Sequence, residues 1–252
     1  MSSPLKFIRP RNLNESRILS WFSKKNAHHS ISNSRIPGLN VGFNSVENQN
    51  IILEQLHVLA KETDTSLKHI AIAQQTHSNR VKVVTKGGIY PETDAFVSST
   101  LGISLLIQVA DCGAVLLGDS TNQVIGAVHA GWRGAQKDII RKTVEFMLDL
   151  GADINTIKAY IGPCISVDAF EVGQEVADLF PDQFVDNNLG IKPHLDLKGY
   201  IFQQLVSMGI VKSDIVMDSG CTFNDESDFY SFRRETSRAG RMAAVIKLNE
   251  IG

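Results

Sequence analysis

The apolar run over residues 101–110 constrains the fold of this chain more than any other segment. It is too short to cross a bilayer as a helix, which takes about 20 apolar residues. Its length and continuous apolar character are typical of a strand that is buried on both faces of a sheet. The run ends at Asp111 and Cys112, so polar and reactive side chains follow directly on a strand that we expect deep in the core.

Other segments predict strands and helices in no simple alternation. Polar residues 118–123 separate the apolar segments 114–117 and 124–128, which predicts two neighbouring strands joined by a turn. Helical spacing predicts helices over residues 50–61 and 137–150, with Gly151 as the C-terminal cap glycine. Further strands are expected at residues 70–73, 81–84, 157–161, 215–217 and 242–248, further helices at 173–180 and 198–208, and mostly irregular structure at 11–50.

This order of elements predicts an α/β or α+β fold with mixed sheets, and not a simple doubly wound sheet. No repeat, low-complexity tract or linker-like stretch divides the chain. We therefore expect a single domain over residues 1–252.

Composition excludes several classes of protein. The chain has 252 residues with a net charge of −2, so a broad basic face for nucleic acid is not expected. It has no apolar run of membrane-spanning length, and residues 1–10 lack the apolar core of a signal peptide. Its three cysteines are widely spaced and odd in number, which argues against a disulfide framework and favours a cytoplasmic location.

Three residues that commonly bind metals follow the ends of predicted strands. These are His77, Cys112 and His129. Two imidazoles and a thiolate suit zinc, and a fourth position left to water or substrate is typical of a catalytic site. Spacing alone leaves another interpretation open, in which Cys112 is a small buried hydrophobic residue and the histidines are hydrogen-bonded polar residues.

Two segments could bind an anion. The turn at residues 131–134 places glycines before a predicted helix, where free backbone N–H groups and Arg133 could hold an oxyanion. The stretch 231–241 is rich in arginine, and Arg233 is our first candidate for a phosphate contact. Each segment also has a purely structural interpretation. The turn at 131–134 could be a tight turn in which Arg133 is solvated, and the arginines of 231–241 could form surface ion pairs with nearby acidic residues. Cys164 and Cys221 are expected to be buried thiols.

At these residues the sequence closely resembles the YfiH family, also called the polyphenol oxidase or laccase-domain family. The resemblance spans roughly residue 38 to the C-terminus, and its motifs occur in order. They are Gln75-Thr76-His77-Ser78-Asn79-Arg80-Val81, Thr93-Asp94-Ala95-Phe96-Val97, Val109-Ala110-Asp111-Cys112, Val128-His129-Ala130-Gly131-Trp132-Arg133-Gly134, Ile161-Gly162-Pro163-Cys164-Ile165, Cys221-Thr222, Phe229-Tyr230-Ser231-Phe232-Arg233-Arg234 and Gly240-Arg241-Met242-Ala243.

The resemblance implies a central β-sandwich of mixed sheets flanked by helices, with zinc held by His77, Cys112 and His129. It implies phosphorolysis of adenosine, inosine and methylthioadenosine, with a purine nucleoside and phosphate as substrates, and deamination of adenosine. Family members are also described as copper polyphenol oxidases, and some bacterial members are linked to peptidoglycan precursor editing. Copper is therefore the alternative metal.

The remaining site residues follow from this scheme. The zinc deaminase signature H-x-E with P-C-x-x-C is absent, so Asp111 is the candidate acid or base for deamination. Asn40, Arg133 and Arg233 are candidate substrate contacts, although the residues after Asn40-Val41-Gly42 depart from the family's His-Val-Gly-Asp. The residues also admit a cysteine hydrolase with Cys112 as nucleophile and His129 as base, or a binding module without enzymatic activity.

Overall fold

Two mixed six-stranded sheets pack face to face in the computed structural model, which describes residues 4–14, 17–29 and 31–249. The first sheet contains, in spatial order, β1 (Phe7–Ile8), β2 (Ile18–Ser23), β14 (Met242–Leu248), β7 (Ser104–Val109), β3 (Ile70–Gln74) and β5 (Gly88–Pro91). The second contains β13 (Ile215–Met217), β10 (Lys158–Ile161), β8 (Gly113–Asp119), β9 (Val124–Ala130), β6 (Ala95–Ser98) and β4 (Val81–Val83). A separate short pair joins β11 (Val185–Asp186) to β12 (His194–Leu195).

Helices cover the outer faces of both sheets. They are α1 (Gln49–Glu62), α2 (Trp132–Gln136), α3 (Ile139–Asp149), α4 (Gln174–Ala177), α5 (Leu197–Ser207) and α6 (Phe232–Glu235). Short 3₁₀ turns lie at Leu67–His69, Val167–Ala169, Asp182–Phe184, Lys212–Asp214 and Thr236–Arg238. Helix α1 packs on the first sheet, and α3 and α5 pack on the second.

The core is layered in the same way. Between the sheets, Ile107 and Ala244 of the first meet Phe96 and Leu116 of the second. Because strands β7, β8 and β9 are buried on both faces, their sequences are almost continuously apolar and do not alternate. These observations confirm the expected mixed α/β domain with helices on both sides of a sandwich.

The topology brings three strand ends to one edge of the sandwich. Strands β3 and β7 run parallel, with Ile72 beside Leu106, so the residues that follow them emerge together. The chain then crosses from β7 to β8 through Asp111 and Cys112 and changes sheets. Strand β9 ends beside the start of β8, so residues after β3, β7 and β9 converge at this crossing.

Three predictions are confirmed. Strand β7 matches the strand expected at residues 101–110, β8 and β9 match the hairpin expected at 114–128, and α1 matches the helix expected at 50–61. The irregular structure expected at 11–50 is wrong for β2, which is buried and hydrogen-bonded to β14. The helix expected over 137–150 is preceded by a separate short helix, α2, because Asp138 adopts a left-handed backbone conformation between them. Gly151 has φ +95° after α3, as a C-terminal cap glycine requires.

Within the described ranges, no helix is long and apolar enough to span a membrane. The absence of a signal peptide was predicted from residues 1–10. Of these, residues 1–3 lie outside the residues that the structure describes.

Candidate functional site

His77, Cys112 and His129 lie together at the edge where the three strand ends converge. One ligand atom from each residue lies within 4.8 Å of the other two. The two imidazole rings stand nearly perpendicular, at 78°, with their centroids 4.8 Å apart. His129 is buried, Cys112 is half-buried and His77 is exposed, so the cluster has one face open to solvent. This arrangement could hold a metal ion and leave room for a further ligand.

Asp94 positions both histidines. Its carboxylate is wholly buried and accepts a hydrogen bond from His129 Nδ1 at 2.8 Å, which leaves Nε2 of that ring as the free ligand atom. The same carboxylate accepts from the backbone N–H groups of His77, at 3.0 Å, and Ser78, at 2.8 Å. A carboxylate behind a histidine is the usual way in which proteins fix the orientation of a metal-binding imidazole.

The backbone beside the cluster is held in unusual conformations. His77 has φ +57° and Asp111 has φ +84°, both in the left-handed region that side chains other than glycine seldom adopt. The hydrogen bond from the His77 N–H to Asp94 helps to maintain the left-handed conformation of His77. Strain of this kind concentrates at functional sites, because the surrounding structure must hold it in place.

Gly131 leaves space beside the cluster. A Cβ at this position would lie 3.0 Å from Cys112 Sγ, 3.2 Å from His77 Cδ2 and 3.8 Å from His129 Cε1. All three contacts are to the candidate ligand residues. The glycine therefore keeps the centre of the cluster clear of side-chain atoms.

Cys112 and His129 favour a thiolate beside an imidazolium when no metal is bound. Burial by itself would raise the pKa of Cys112, but the charge of His129 and hydrogen bonds from both histidines outweigh it and lower that pKa to about 6. Burial would lower the pKa of His129, but the Cys112 thiolate and Asp94 outweigh it and raise that pKa. The His129 interactions likewise hold the pKa of Asp94 well below its usual range, against the effect of burial.

The donor set fits a resident metal ion. Two imidazole nitrogens and a thiolate match the ligands of a tetrahedral zinc site with one open position. The ligands must be deprotonated to bind, and the low pKa of Cys112 means that little free energy is needed to supply the thiolate. Among the residues that the structure describes, this is the only group of three such side chains close enough to share an ion.

The cluster forms part of a cavity of about 350 Å³. Four of its lining residues, here called the aromatic wall, are Trp132, Phe170, Leu197 and Phe232. The other lining residues of the cavity are Asn44, Gln75, His77, Gln108, Ala110, Asp111, Cys112, His129, Arg133, Ile165, Arg233 and Arg241. Its volume lies in the range of ordinary small-molecule sites.

Three arginines line this cavity without a carboxylate partner in the described part of the chain: Arg133, Arg233 and Arg241. The guanidinium of Arg133 lies 4.2 Å from the Trp132 ring centroid, and that of Arg233 lies 5.4 Å from the Phe170 ring centroid. Three unpaired guanidinium groups around one cavity favour an anionic ligand.

A family model described as multi-copper polyphenol oxidoreductase laccase matches residues 21–249. The chain belongs to this family. Within the laccase family, a protein of Deinococcus radiodurans named purine nucleoside phosphorylase is 37% identical over 215 residues, which are 84% of this chain and 82% of that protein. A protein of an unknown prokaryotic organism named adenosine deaminase RL5 is 32% identical over 207 residues, which are 75% of this chain and 79% of that protein.

A solved structure also resembles this laccase-family chain. The hypothetical protein YfiH of Bacillus licheniformis superposes with a TM-score of 0.87 at 25% identity, covering 96% of this chain and 99% of its own. The resemblance to the YfiH family that the motifs indicated is thereby confirmed.

The laccase-family chain places the other candidate site residues differently. Asp111 lines the cavity, but its oxygens accept hydrogen bonds from Thr222 Oγ1 at 2.7 Å and from the backbone N–H of Arg233 at 2.6 Å. Its acid or base role stays a prediction. Asn40 does not line the cavity: its side chain is fully buried and accepts from the backbone N–H groups of Gly42 and Arg241. Asn40 therefore shapes the loop and positions Arg241.

The predicted buried thiols are confirmed. Cys164 and Cys221 are both buried and unpaired, and burial raises the pKa of Cys164 to about 12. The ion pairing expected between the arginine-rich stretch and nearby acidic residues occurs for Arg234, which pairs with Glu235 at 2.8 Å. Arg233, beside it, forms no salt bridge within the described residues and lines the cavity.

Sequence reasoning missed Asp94 and Gln108 as members of the site, and it included Arg241 only as part of the arginine-rich stretch 231–241. Asp94 and Arg241 lie within motifs of the laccase family, but nothing in their spacing predicts which side chain they contact. Gln108 offered one signal, since it is a polar residue inside the most apolar run of the chain. A buried polar residue in such a strand needs a partner, and that partner could have been sought in a ligand.

Proposed function

We propose that this chain is a zinc-dependent purine nucleoside phosphorylase that acts on adenosine, inosine and methylthioadenosine and also deaminates adenosine. The observation that carries the proposal is the presence of three unpaired arginines in the same cavity as a His–Cys–His cluster. The names of the Deinococcus radiodurans relative and of the RL5 relative support the two reactions.

His77, Cys112 and His129 would hold the zinc ion, with Asp94 fixing the tautomer of His129. When bound, zinc would supply a Lewis acid that stabilises negative charge developing during the reaction. The chain supplies the rest by positioning its substrates. Arg133 and Arg233 would bind phosphate, and the aromatic wall with Phe170 would hold the purine, so that the reacting groups meet in the cavity.

In phosphorolysis a phosphate oxygen forms a bond to C1′ of the ribose while the bond from C1′ to N9 of the purine breaks. The electron pair of that bond leaves with the base, which takes up a proton. In deamination, water adds at C6 of adenine and ammonia leaves, which needs a group that moves a proton. We assign that role to Asp111, whose oxygens lie at the cavity but are now occupied by Thr222 and Arg233.

Two specific observations favour second candidates. The family description names a multi-copper oxidase, although the described residues contain one three-ligand cluster and a multicopper enzyme needs many more histidines. The low pKa of Cys112 beside His129 would also suit a metal-free cysteine hydrolase. We further propose a cytoplasmic location, because a reducing compartment keeps the Cys112 thiolate available for metal.

The test is product analysis on protein of measured metal content. Inosine is supplied with and without inorganic phosphate, and hypoxanthine and ribose 1-phosphate are quantified. The proposal expects both products only with phosphate, from protein that carries close to one zinc and little copper per chain. Hypoxanthine release at an equal rate without phosphate would indicate a hydrolase, and oxygen consumption on a phenol by copper-loaded protein would indicate the oxidase.

A further inference from the structure

Gln108 carries an unpartnered polar group at the cavity. Its side chain lines the cavity while the residue is only 6% exposed, and Nε2 has no hydrogen-bond partner. A buried amide donor without a partner destabilises the folded protein relative to one that is paired. Buried polar groups are nearly always paired in native proteins, so an unpaired donor on a side chain that lines a cavity indicates a ligand that would bind there.

Gln75 fixes the position of Gln108. Strands β3 and β7 are paired at Ile72 and Leu106. Farther along, the Gln75 side chain takes the place of the β3 backbone and hydrogen-bonds to the backbone of β7. Its Nε2 donates to the Gln108 carbonyl at 2.7 Å, and its Oε1 accepts from the Gln108 N–H at 2.7 Å. The Gln108 backbone is thus held on both sides, and its free amide is pre-organised for a ligand.

Arg241 lies on the same face of the sheet. Gln108 is paired with Ala243 in the ladder between β7 and β14, so Arg241, two residues before Ala243, is its diagonal neighbour. The Arg241 N–H donates to Asn40 Oδ1 at 2.9 Å, and Nη1 donates to the carbonyls of Ala239 and Gly240. Within the described chain, Nε and Nη2 of Arg241 have no protein acceptor and no carboxylate lies within salt-bridge distance of its guanidinium. Burial lowers the pKa of Arg241, and the charges of Cys112, Asp111 and Glu235 act against that shift.

This part of the cavity therefore offers an unpaired amide donor and a guanidinium charge, while Asp111 and Cys112 line the same cavity. The aromatic wall with Phe170 and Leu197 comes from different segments, after β10 and at the start of α5. A purine ring fits such apolar residues, and an oxyanion fits the guanidinium groups beside them. The guanidinium of Arg241 lies 5.7 Å from the Phe232 ring centroid.

We infer that Gln108 Nε2 donates a hydrogen bond to an oxygen of the phosphate co-substrate, beside the guanidinium of Arg241. The inference rests on the proposed phosphorylase function and names the residues that recognise its anion. Gln108 is then a binding residue for phosphate that Gln75 positions, and Asn40 positions the neighbouring Arg241.

The test measures binding of inorganic phosphate to zinc-loaded protein by calorimetry, separately from turnover. Gln108→Met keeps the length of the side chain and removes the donor. Gln108→Glu places a negative charge beside Arg241. Gln203→Met is the matched control, because Gln203 is an exposed residue of α5 that does not line the cavity.

We expect Gln108→Met to weaken phosphate binding by roughly ten- to a hundred-fold, the usual effect of losing a hydrogen bond to a charged group. Gln108→Glu should weaken it at least as much. The KM for inosine should stay within about twofold, and Gln203→Met should match the wild type. The melting temperature of Gln108→Met without ligand should equal or exceed that of the wild type, because an unpaired buried donor has been removed.

Phosphate affinity within twofold of the wild type in Gln108→Met would overturn the inference, as would a rise in the KM for inosine alone. A Gln108→Met protein that fails to fold would overturn it too, because the amide would then be structural. If the wild type binds phosphate through Gln108 but cleaves no nucleoside, the inference stands and the phosphorylase proposal fails. If the wild type phosphorolyses inosine and Gln108→Met binds phosphate normally, the phosphorylase proposal stands and the inference fails.

Discussion

Asp94 Oδ1 accepts a hydrogen bond of 2.8 Å from His129 Nδ1, and the same carboxylate also holds the backbone of His77. One buried side chain thus orients two of the three candidate metal ligands. It does so from the start of β6, in the second sheet, whereas His77 follows β3, in the first. The geometry of the cluster therefore depends on how the two sheets pack.

Asp94→Asn should lower zinc affinity by about ten- to a hundred-fold, as loss of a carboxylate behind a metal-binding histidine typically does. The matched control is Asp119→Asn. Asp119 is equally buried and accepts hydrogen bonds from Asn122, Asp153 and Thr156, away from the cluster. Both variants should lose stability, but competition with a chromogenic chelator should show weakened zinc binding only for Asp94→Asn. Equal zinc affinity in the two variants would mean that Asp94 has no role in ligation.

Gly131→Ala should reduce zinc occupancy without a large loss of stability. Its Cβ would lie 3.0 Å from Cys112 Sγ and 3.2 Å from His77 Cδ2, so the ligands must move apart. Gly151→Ala serves as the control, since that glycine has φ +95° and open space around it. The control should lose about 1 kcal/mol of stability from backbone strain and retain its zinc. Elemental analysis together with thermal melting separates the two effects, and full zinc content in Gly131→Ala would be the contrary result.

Cys112 should alkylate at unusually low pH once zinc is removed. A thiolate reacts and a thiol does not, so the rate should rise around pH 6, where the lowered pKa of Cys112 lies, and be near its plateau at pH 7. Cys164, whose pKa is raised to about 12, should stay unlabelled at the same pH. Peptide mass spectrometry after timed iodoacetamide treatment gives both rates. A rate for Cys112 that rises only near pH 8.5, as for an ordinary thiol, would show that His129 does not stabilise the thiolate.

Arg233 and Arg234 are neighbours with different expected roles. Arg234 donates to the carbonyls of Thr222, Phe223 and Phe229, so Arg234→Met should lower the melting temperature. The Arg233 side chain is exposed at the cavity and makes one hydrogen bond, to the Glu171 carbonyl. Arg233→Met should therefore raise the KM for phosphate about ten- to a hundred-fold with little change in melting temperature. Kinetics and melting curves on both variants test this. If Arg233→Met has a normal phosphate KM and a lowered melting temperature, Arg233 has a structural role and does not bind phosphate.

The sequence predicted those elements whose pattern is local. The strand β7 and the hairpin of β8 and β9 were found because their apolar runs are long and bounded by polar turns. Strand β2 was missed because Ser20 and Ser23 interrupt its apolar residues. Both serines are buried, and Ser23 accepts a hydrogen bond from Ala243, far away in the chain. No local pattern can reveal a partner that only the sheet brings close.

The same limit applies to the candidate site. His77, Cys112 and His129 could be named from the sequence, since imidazole and thiol groups at strand ends are themselves the signal. The role of Asp94 depends on the pairing of β6 with β9, and the free amide of Gln108 appears only once its neighbours are in place. The substrate contact predicted for Asn40 stays a prediction, and the structure adds a contact that the sequence did not indicate, from the Arg241 N–H to Asn40 Oδ1.

The most direct test of the central proposal is metal removal and reconstitution during phosphorolysis of inosine. Zinc is removed with a chelator, the protein is confirmed to remain folded, and turnover is followed as zinc or copper is added back. We expect turnover to disappear with zinc and to return in proportion to zinc, reaching its plateau at one ion per chain, with no recovery in a Cys112→Ala variant. Full phosphorolysis by the zinc-free protein, or recovery with copper alone, would contradict the assignment of a zinc-dependent phosphorylase to this site.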